Sequence, residues 1–376
     1  MRENTKLLFC GDLVITDKLE SKDLLDVDLI KIFKEADFKF VNLEAPVTKS
    51  TTKILKTGPH LRSNKESTLQ VLQSLEVNVL TLANNHILDH DEKGVYDTLA
   101  FCKDFNFQNV GAGMNLKEAS KTLYLDSKDG KIAVINFAEN EWSNATAISA
   151  GANPMDLIKN AYQITEARSN ANYVFVIVHG GHEYYNLPSP RMQSQYRFYA
   201  DQGADMVIGH HTHCISGNEV YNGVPIYYSL GNFLFTGQKT FKDWYIGLVL
   251  KVDIIEGKLS PQLHPVKQEE ITGKLNLLQS EDTHIIFERI KYLNAIILNE
   301  SNLNFEWDNF VNKRYNGYLN YWSPISFISN RYVRGFFRKL GLSGSSSKGM
   351  AIKLNLLRCE AHSDLSKHVI KKYLNR

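Results

Sequence analysis

Short apolar segments alternate with amphipathic segments over roughly the first 250 residues of the chain. Seven apolar segments predict strands: Lys6–Cys10, Phe38–Val41, Val77–Leu82, Lys131–Phe137, Tyr173–Val178, Asp205–Ile208 and Pro225–Tyr228. Five amphipathic segments predict helices: Leu24–Glu35, Lys65–Leu75, Glu92–Asp104, Met155–Arg168 and Gln193–Gln202. Strands that alternate with helices in this way are typical of a layered α/β fold.

The pattern changes after about residue 260. Ile and Leu recur at helical spacing over 281–299, and aromatic residues become denser over 304–337. A Gly/Ser-rich run at 341–347 then predicts a flexible linker, and 351–376 predicts a basic helix. We therefore expect an α/β domain over 1–260, a helical, aromatic-rich extension over 261–340, and a linker with a basic helix over 341–376.

The charge is distributed unevenly along the chain, although its net value is only +2. Residues 331–376 hold 11 Lys/Arg and 2 Asp/Glu, a balance of +9, so the remaining residues carry −7. The four cysteines show no paired spacing, which is typical of a reducing compartment. No signal peptide and no apolar run of about 18 residues are evident. We expect a cytoplasmic protein, at most peripheral to the inner membrane face.

Polar residues cluster where the predicted strands end. The five clusters are Gly11-Asp12, Asn42-Leu43-Glu44, Asn84-Asn85-His86, His179-Gly180-Gly181-His182-Glu183 and Gly209-His210-His211-Thr212-His213. Ligands of layered α/β folds bind outside the carboxyl ends of the strands, so the clusters are expected to converge on one rim. His211 and His213, two residues apart, would point to the same side of an extended segment.

The chemistry of these clusters favours metal binding. Mixed carboxylate, amide and imidazole ligands suit Zn, Mn or Fe, and this number of ligands is enough to hold two divalent cations. Such a pair polarises phosphoryl oxygens and lowers the pKa of a shared water. The sequence therefore predicts a site for two divalent transition metals.

Six separated motifs resemble one family. They are 42–48 (NLEAPVT), Leu61-Arg62, 84–89 (NNHILD), 178–184 (VHGGHEY), 199–213 (YADQGADMVIGHHTH) and 226–233 (IYYSLGNF). The chain resembles the poly-γ-glutamate and capsule biosynthesis (CapA/PgsA-like) family, which is similar to the calcineurin-like metallophosphoesterases. The resemblance covers about residues 5–255. It implies a four-layer α–β–β–α metallophosphoesterase-like sandwich, here with a helical C-terminal extension.

The resemblance also implies a role for each matching residue. The implied metal ligands are Asp12 and His213 for a first metal, Glu44 or, in its place, Asn42 as the bridging ligand, and Asn85, His179 and His211 for a second metal. The implied catalytic residues are His86 as proton donor, Asp89, which orients His86, and Glu183. The implied substrate-binding residues are Arg62 and Asn232.

Two functions follow as expectations. The first is a metal-dependent, phosphoesterase-like hydrolase acting in capsule or cell-envelope polymer synthesis, with the bond cleaved left open between a phosphoester and a peptide-like bond. The second is a non-catalytic accessory factor of such a system. The phosphoesterase pattern Asp-x-His reads Asp12-Leu13-Val14 here, so one imidazole is missing, which favours the second.

The expected partners are a small-molecule or polymer substrate with phosphate or carboxylate groups, and no nucleic acid, because the motif-bearing region is net acidic. The basic C-terminus leaves two interpretations open. Residues 331–342 mix Arg, Lys and aromatic residues as interfacial helices do, which would give peripheral membrane contact. Alternatively, this helix packs its aromatic side chains on the main domain.

Overall fold

The computed structural model describes residues 4–19, 24–237, 239–323, 325, 328, 330–340 and 347–374. The strands are β1 (Lys6–Val14), β2 (Phe38–Leu43), β3 (Val79–Thr81), β4 (Gln108–Val110), β5 (Ala112–Gly113), β6 (Leu123–Ser127), β7 (Gly130–Ala138), β8 (Gly151–Ala152), β9 (Tyr173–His179), β10 (Met206–His210), β11 (Asn218–Tyr221), β12 (Val224–Tyr227), β13 (Asn232–Phe235), β14 (Ile246–Ile255), β15 (Lys258–Gln268) and β16 (Leu275–Leu277). The α-helices are α1 (Val27–Lys34), α2 (Lys65–Ser74), α3 (Asp91–Asp104), α4 (Leu116–Ala119), α5 (Leu157–Asn170), α6 (Pro190–Asp201), α7 (Ser280–Ile297), α8 (Glu300–Tyr321), α9 (Arg331–Lys339), α10 (Ser347–Arg358) and α11 (Glu360–Leu374).

Two sheets form the centre of the fold. The first has the strand order β16-β15-β14-β1-β2-β3-β4, and β13 also pairs with β1. The second has the order β11-β12-β10-β9-β7-β6. The strands β1 to β4 run parallel to one another, as do β7, β9 and β10. Parallel strands place their carboxyl ends at one edge of a sheet, so the polar segments that follow them are brought together.

The two sheets pack face to face. Leu7 and Phe9 of β1 lie in one apolar cluster with Phe175 and Ile177 of β9, and the rings of Phe9 and Phe175 are 5.2 Å apart. Residues that alternate with these point away from the second sheet, because side chains alternate along a strand. Leu8, for example, packs in the other large cluster, with helices α1, α2 and α3.

Helices cover the outer faces of both sheets. On the second sheet, α5 packs against β7 and β9, and α6 packs against β10 and β12. The starts of these helices are encoded locally, because Ser189 caps α6 by accepting a hydrogen bond from the Met192 N–H, and Pro190 occupies the first turn. The resulting helix–sheet–sheet–helix order confirms the predicted four-layer α–β–β–α sandwich.

The described chain divides into two compact units, Met1–Asn304 and Phe305–Arg376. The first unit extends past the boundary predicted at residue 260, because β15 and β16 continue the first sheet and the buried residues of α7 join the core. The second unit is helical and includes α9, α10 and α11, as the predicted C-terminal extension requires. Within the described residues, no helix is long and apolar enough to cross a membrane.

Candidate metal centre

The ends of β1, β2, β9 and β10 meet at one rim. Asp12 lies opposite Asn42 in the pairing of β1 with β2, and opposite Asn232 in the pairing of β1 with β13. His179 and His210 end two neighbouring parallel strands in register. The first three of the five polar clusters therefore come from the first sheet and the other two from the second, and they converge as the sequence predicts.

Glu44 lies at the centre of the cluster and is fully buried. Neither of its carboxylate oxygens has a hydrogen-bond partner among the described residues. Its Oε1 lies 3.4 Å from His179 Nε2 and 3.7 Å from His213 Nε2. A buried glutamate without hydrogen bonds must either take up a proton or bind a cation to avoid a cost of several kcal/mol, so Glu44 is a candidate metal ligand.

Two groups of possible ligands share Glu44. One consists of Glu44, His179 and His211, and the other consists of Asp12, Glu44 and His213; within each group the ligand atoms lie within 4.8 Å of one another. All five side chains are buried. Glu44 is therefore the residue that the two candidate groups have in common.

The two central carboxylates have opposite pKa shifts. Burial and the charge of Asp12 raise the pKa of Glu44 well above its usual value. Burial would raise the pKa of Asp12 too, but the hydrogen bond and charges from His213 and His210 outweigh it and hold that pKa below its usual range. In the absence of a cation the site therefore favours one negative charge rather than two.

The His179 imidazole is held in the form that binds metals. Burial and neighbouring His211 lower the pKa of His179, which keeps its ring neutral, the state required of a metal ligand. Its Nε2 lies 3.1 Å from the Asn85 Oδ1 and 3.1 Å from the His211 Nδ1. Asn85 thus lies beside the group of Glu44, His179 and His211.

His211 and His213 reach the centre through a turn. Their φ angles are 91° and 55°, in the left-handed region that residues other than glycine seldom occupy. The two rings therefore do not converge through the extended geometry that their spacing suggests. Backbone of this kind costs of order 1–3 kcal/mol per residue and persists where the surrounding structure imposes it, often at functional sites.

The buried donor set fits a divalent cation. The unpaired oxygens of Glu44, the neutral ring of His179 and the carbonyl of Asn85 are the ligand types that Zn, Mn and Fe accept. A cation would also satisfy carboxylate oxygens that accept no hydrogen bond from the described part of the chain. The residues present are therefore compatible with the metal binding that the sequence predicts.

His86, Asp89 and Lys56 form a buried network beside the ligands. The His86 Nδ1 lies 2.6 Å from the Asp89 Oδ2, as the predicted orienting role of Asp89 requires. Asp89 also accepts a hydrogen bond from the Leu61 N–H at 2.7 Å and one from the Lys56 ammonium. Sequence reasoning missed Lys56, because it lies in a polar loop with no periodicity or motif, yet its side chain is only 3% exposed.

Two asparagines orient ligands. The Asn42 amide donates to the Asp12 Oδ1 at 2.6 Å, and its own oxygen accepts a hydrogen bond from Thr81 at 3.2 Å. This arrangement favours Glu44 over Asn42 as the bridging ligand. Asn232 is buried, with its oxygen 3.0 Å from the His213 Nδ1 and its amide donating to the Trp244 carbonyl. Its place is therefore behind His213 rather than on an open substrate surface.

The other two predicted residues lie at the exposed margin. Arg62 is exposed and donates a hydrogen bond to the Ser50 carbonyl at 3.0 Å. Glu183 is exposed, and its charge helps to raise the pKa of Glu44. His210, which was not predicted as a site residue, is buried with its Nδ1 3.5 Å from the Asp12 Oδ1.

The wall beside Asp12, Glu44 and His213 is apolar at the position where the phosphoesterase pattern has an imidazole. Val14 is fully buried and packs in a small cluster with Ala45, Phe235 and Trp244. The Trp244 ring lies 4.8 Å from the His213 ring. This side of the site therefore offers three protein ligands and an aromatic wall.

Two curated proteins are similar to about half of this chain. The chain is 38% identical over 208 residues to the PGA biosynthesis protein CapA of Bacillus subtilis (strain 168), which covers 54% of each chain. It is 36% identical over 214 residues to the capsule biosynthesis protein CapA of Bacillus anthracis, covering 54% of this chain and 51% of the relative. The chain spans about half the length of these curated relatives.

Among solved structures, a novel phosphatase from Mycoplasma pneumoniae aligns with a TM-score of 0.44 at 13% identity, covering 73% of this chain and 97% of that one. The family described as bacterial capsule synthesis protein PGA_cap matches residues 6–237. That range includes both sheets' polar strand ends and every candidate ligand. The chain therefore belongs to the PGA_cap family of bacterial capsule synthesis proteins.

Proposed function

We propose that this protein is a metal-dependent, phosphoesterase-like hydrolase that acts in the synthesis of a capsule or another cell-envelope polymer. The observation that carries the proposal is Glu44, a fully buried carboxylate with two unpaired oxygens that is shared by two ligand groups. A purely structural glutamate at this depth would be paired, as Glu219 is with Arg197.

The proposed cofactors are two divalent transition metals, Mn, Fe or Zn. Asp12 and His213 would hold the first, Asn85, His179 and His211 the second, and Glu44 both. When bound, such cations polarise phosphoryl or carbonyl oxygens and lower the pKa of a coordinated water to about 7.

His86 is proposed to deliver a proton to the leaving group. With the Nδ1–H donated to Asp89, Nε2 is the nitrogen proposed to face the leaving group. It carries a proton to deliver when the ring is an imidazolium, a form that burial disfavours and the charge of Asp89 favours. Lys56 balances the charge of Asp89 and keeps that carboxylate in place. At the exposed margin, Arg62 is proposed to contact the substrate. Glu183 is proposed to take part in the chemistry.

The substrate class follows from the family and from the charges at the site. The names of the relatives connect them to PGA and capsule synthesis, so we propose a polymer or intermediate with phosphate or carboxylate groups. Hydrolysis of a phosphoester and hydrolysis of a peptide-like bond both pass through an anionic transition state, which cations stabilise. Both bonds are therefore kept as alternative targets.

The proposal is tested by metal content and turnover. The purified chain is analysed by elemental mass spectrometry, reconstituted with Mn²⁺, Fe²⁺ or Zn²⁺, and assayed with phosphomonoesters, phosphodiesters and poly-γ-glutamate. We expect bound transition metal and a metal-dependent rate that His211→Ala lowers by about a hundredfold or more. His284→Ala, a histidine on α7 outside the cluster, is the matched control and should keep both metal and rate.

Two results would contradict the proposal. One is a chain that binds no transition metal under any of these conditions. The other is a rate that His211→Ala leaves unchanged, since the activity would then come from a contaminant or from another site.

A second candidate is a non-catalytic accessory factor, and Val14 is the observation that favours it. A valine packed in an apolar cluster replaces the imidazole of the phosphoesterase pattern. Among the described residues, Asp12, Glu44 and His213 are then the candidate ligands on this side. In this case one metal per chain and no turnover are expected. Val14→His would then add a ligand and raise the metal content to two per chain.

A further inference from the structure

Helix α9 (Arg331–Lys339) separates its basic and apolar residues onto two sides. At 100° per residue, positions 331, 334, 338 and 339 fall on one side, and all four carry Arg or Lys. Positions 332, 333, 336, 337 and 340 fall on the opposite side, and all are aromatic or aliphatic. The helix is therefore two-sided along its whole length.

The apolar side is exposed. Val333, Phe336 and Leu340 have relative exposures of 41%, 60% and 55%. Buried apolar side chains stabilise a fold, so several exposed apolar side chains on one helix forgo that stabilisation. A surface of this kind usually receives a partner.

A second apolar row lies on α11 (Glu360–Leu374) of the same unit. Leu365, Val369 and Tyr373 recur at every fourth position and are 64%, 58% and 71% exposed. This spacing places them in one stripe along the helix. Two helices of the C-terminal unit thus expose apolar stripes.

The charge of the unit identifies the chemistry of the partner. Residues 331–376 carry 11 Lys/Arg and 2 Asp/Glu, a balance of +9. Basic side chains beside an exposed aromatic stripe complement a surface that is anionic outside and apolar beneath. A soluble acidic polymer would satisfy the charges but would leave Val333, Phe336 and Leu340 in water.

We infer that α9 docks this protein on an anionic lipid surface. The helix lies in the plane of the interface, with Val333, Phe336 and Leu340 entering the boundary between headgroups and acyl chains. Arg334 and Lys339 contact lipid phosphates. Nine residues give only modest affinity, so binding is reversible, and the stripe on α11 supplies additional apolar contact.

The test is flotation of the full-length chain with phosphatidylcholine vesicles that contain or lack phosphatidylglycerol, at low and at physiological salt. We expect binding to the anionic vesicles only, and weaker binding at higher salt, because the Lys and Arg contribution is screened. Circular dichroism verifies that every variant keeps its helix content.

Two double variants separate the apolar contribution from the charged one. Val333→Ser with Phe336→Ser and Arg334→Glu with Lys339→Glu are each expected to weaken partitioning about tenfold or more. The matched controls lie on the larger unit: Ile148→Ser with Ile271→Ser at sites 94% and 90% exposed, and Lys242→Glu with Lys291→Glu, whose side chains are 73% and 78% exposed. Both controls should bind as the wild type does.

Three outcomes would overturn the inference. Equal binding of all variants would mean that α9 is not the docking element. Loss of binding on charge reversal alone, with displacement by soluble poly-glutamate, would identify an acidic polymer as the partner. If the wild type does not bind vesicles and is a dimer, while Val333→Ser/Phe336→Ser is a monomer, the stripe contacts a second copy of the chain.

Discussion

Single residues at the rim combine features that are costly in isolation. Glu44 is buried without a hydrogen bond from any described residue, and His211 and His213 adopt left-handed backbone conformations. Each of these features costs free energy, and a folded protein retains such a feature only where another interaction offsets the cost. A bound cation would offset the carboxylate's cost, which is why the residue-level evidence and the proposed cofactor support each other.

Replacing Glu44 with glutamine should separate metal binding from stability. The metal-free Glu44→Gln variant should be as stable as the metal-free wild type or more stable, by up to about 2 kcal/mol. The raised pKa of Glu44 means that its carboxylate must take up a proton on folding at neutral pH, whereas the amide is already neutral. Added Mn²⁺ should raise the melting temperature of the wild type and leave that of the variant unchanged. Differential scanning calorimetry with and without metal measures both quantities.

Glu219→Gln is the control for this prediction. Glu219 is buried too, but it accepts hydrogen bonds from Arg197 at 2.9 and 2.6 Å. Its substitution should lower stability by about 2–4 kcal/mol, because the guanidinium loses its counter-charge. If both variants destabilise the metal-free protein equally, Glu44 has a protein partner and the interpretation of its unpaired oxygens is wrong.

Lys56→Met tests the buried network of His86 and Asp89. The Lys56 side chain is 3% exposed and Asp89 is fully buried, so the variant leaves a carboxylate without its cation. We expect a loss of about 3–5 kcal/mol in the free energy of unfolding, measured by urea denaturation. Metal content should not change, since Lys56 contacts none of the candidate ligands in the hydrogen bonds described.

Lys93→Met provides the matched comparison, since Lys93 also pairs with an aspartate, Asp97. There the two side chains are 64% and 26% exposed, and solvent screens the pair. The loss should stay below about 1 kcal/mol. A Lys56→Met variant as stable as Lys93→Met would mean that Asp89 is neutral or hydrated in the folded protein.

At the scale of the elements, one close approach of two strands positions Asp12. A Cβ atom on Gly11 would lie 1.9 Å from the Gly231 carbonyl oxygen, the same oxygen that accepts a hydrogen bond from the Asp12 N–H at 3.1 Å. Only glycine permits β1 and the start of β13 to come this close. The pairing shifts register there, between Cys10 and Asp12 on the β2 side.

Gly11→Ala should therefore displace Asp12. The methyl group meets backbone, which cannot rotate away, so a destabilisation of about 3 kcal/mol or more is expected together with reduced metal affinity. Gly317→Ala on α8, where a Cβ meets nothing within 4 Å, should instead raise stability by up to about 1 kcal/mol. Thermal unfolding and metal titration of the two variants test this difference. A Gly11→Ala variant with the stability and metal affinity of the wild type would contradict the prediction.

At the scale of the whole molecule, the site and the candidate lipid-docking helix belong to different units. Every candidate ligand and both large sheets lie within Met1–Asn304, whereas α9 and α11 lie within Phe305–Arg376. The larger unit has its own apolar clusters on both faces of the first sheet. Its fold and its metal site should therefore not require the C-terminal helices.

A chain that ends at Asn304 tests this independence. We expect cooperative unfolding within a few degrees of the full-length melting temperature, the same metal content and the same metal-dependent rate, with vesicle binding abolished. Aggregation of the shortened chain, or loss of its metal, would show that the C-terminal unit contributes to the larger unit or to its site.

The sequence alone determined the layered architecture and the identity of most candidate ligands. Apolar period-two segments, capped helices and a polar cluster after each strand are local features, and parallel strands must bring their carboxyl ends together. The sequence therefore predicted that five residues meet at one rim: Asp12, Glu44, His179, His211 and His213.

The tertiary structure alone decided which neighbours surround them. Lys56 reaches Asp89 from a loop without periodicity, and Asn232 turns inward to His213 across a strand pairing that no local pattern specifies. The left-handed turn at His211 and His213 and the missing partners of Glu44 likewise depend on contacts between segments far apart in the chain, which local propensity does not encode.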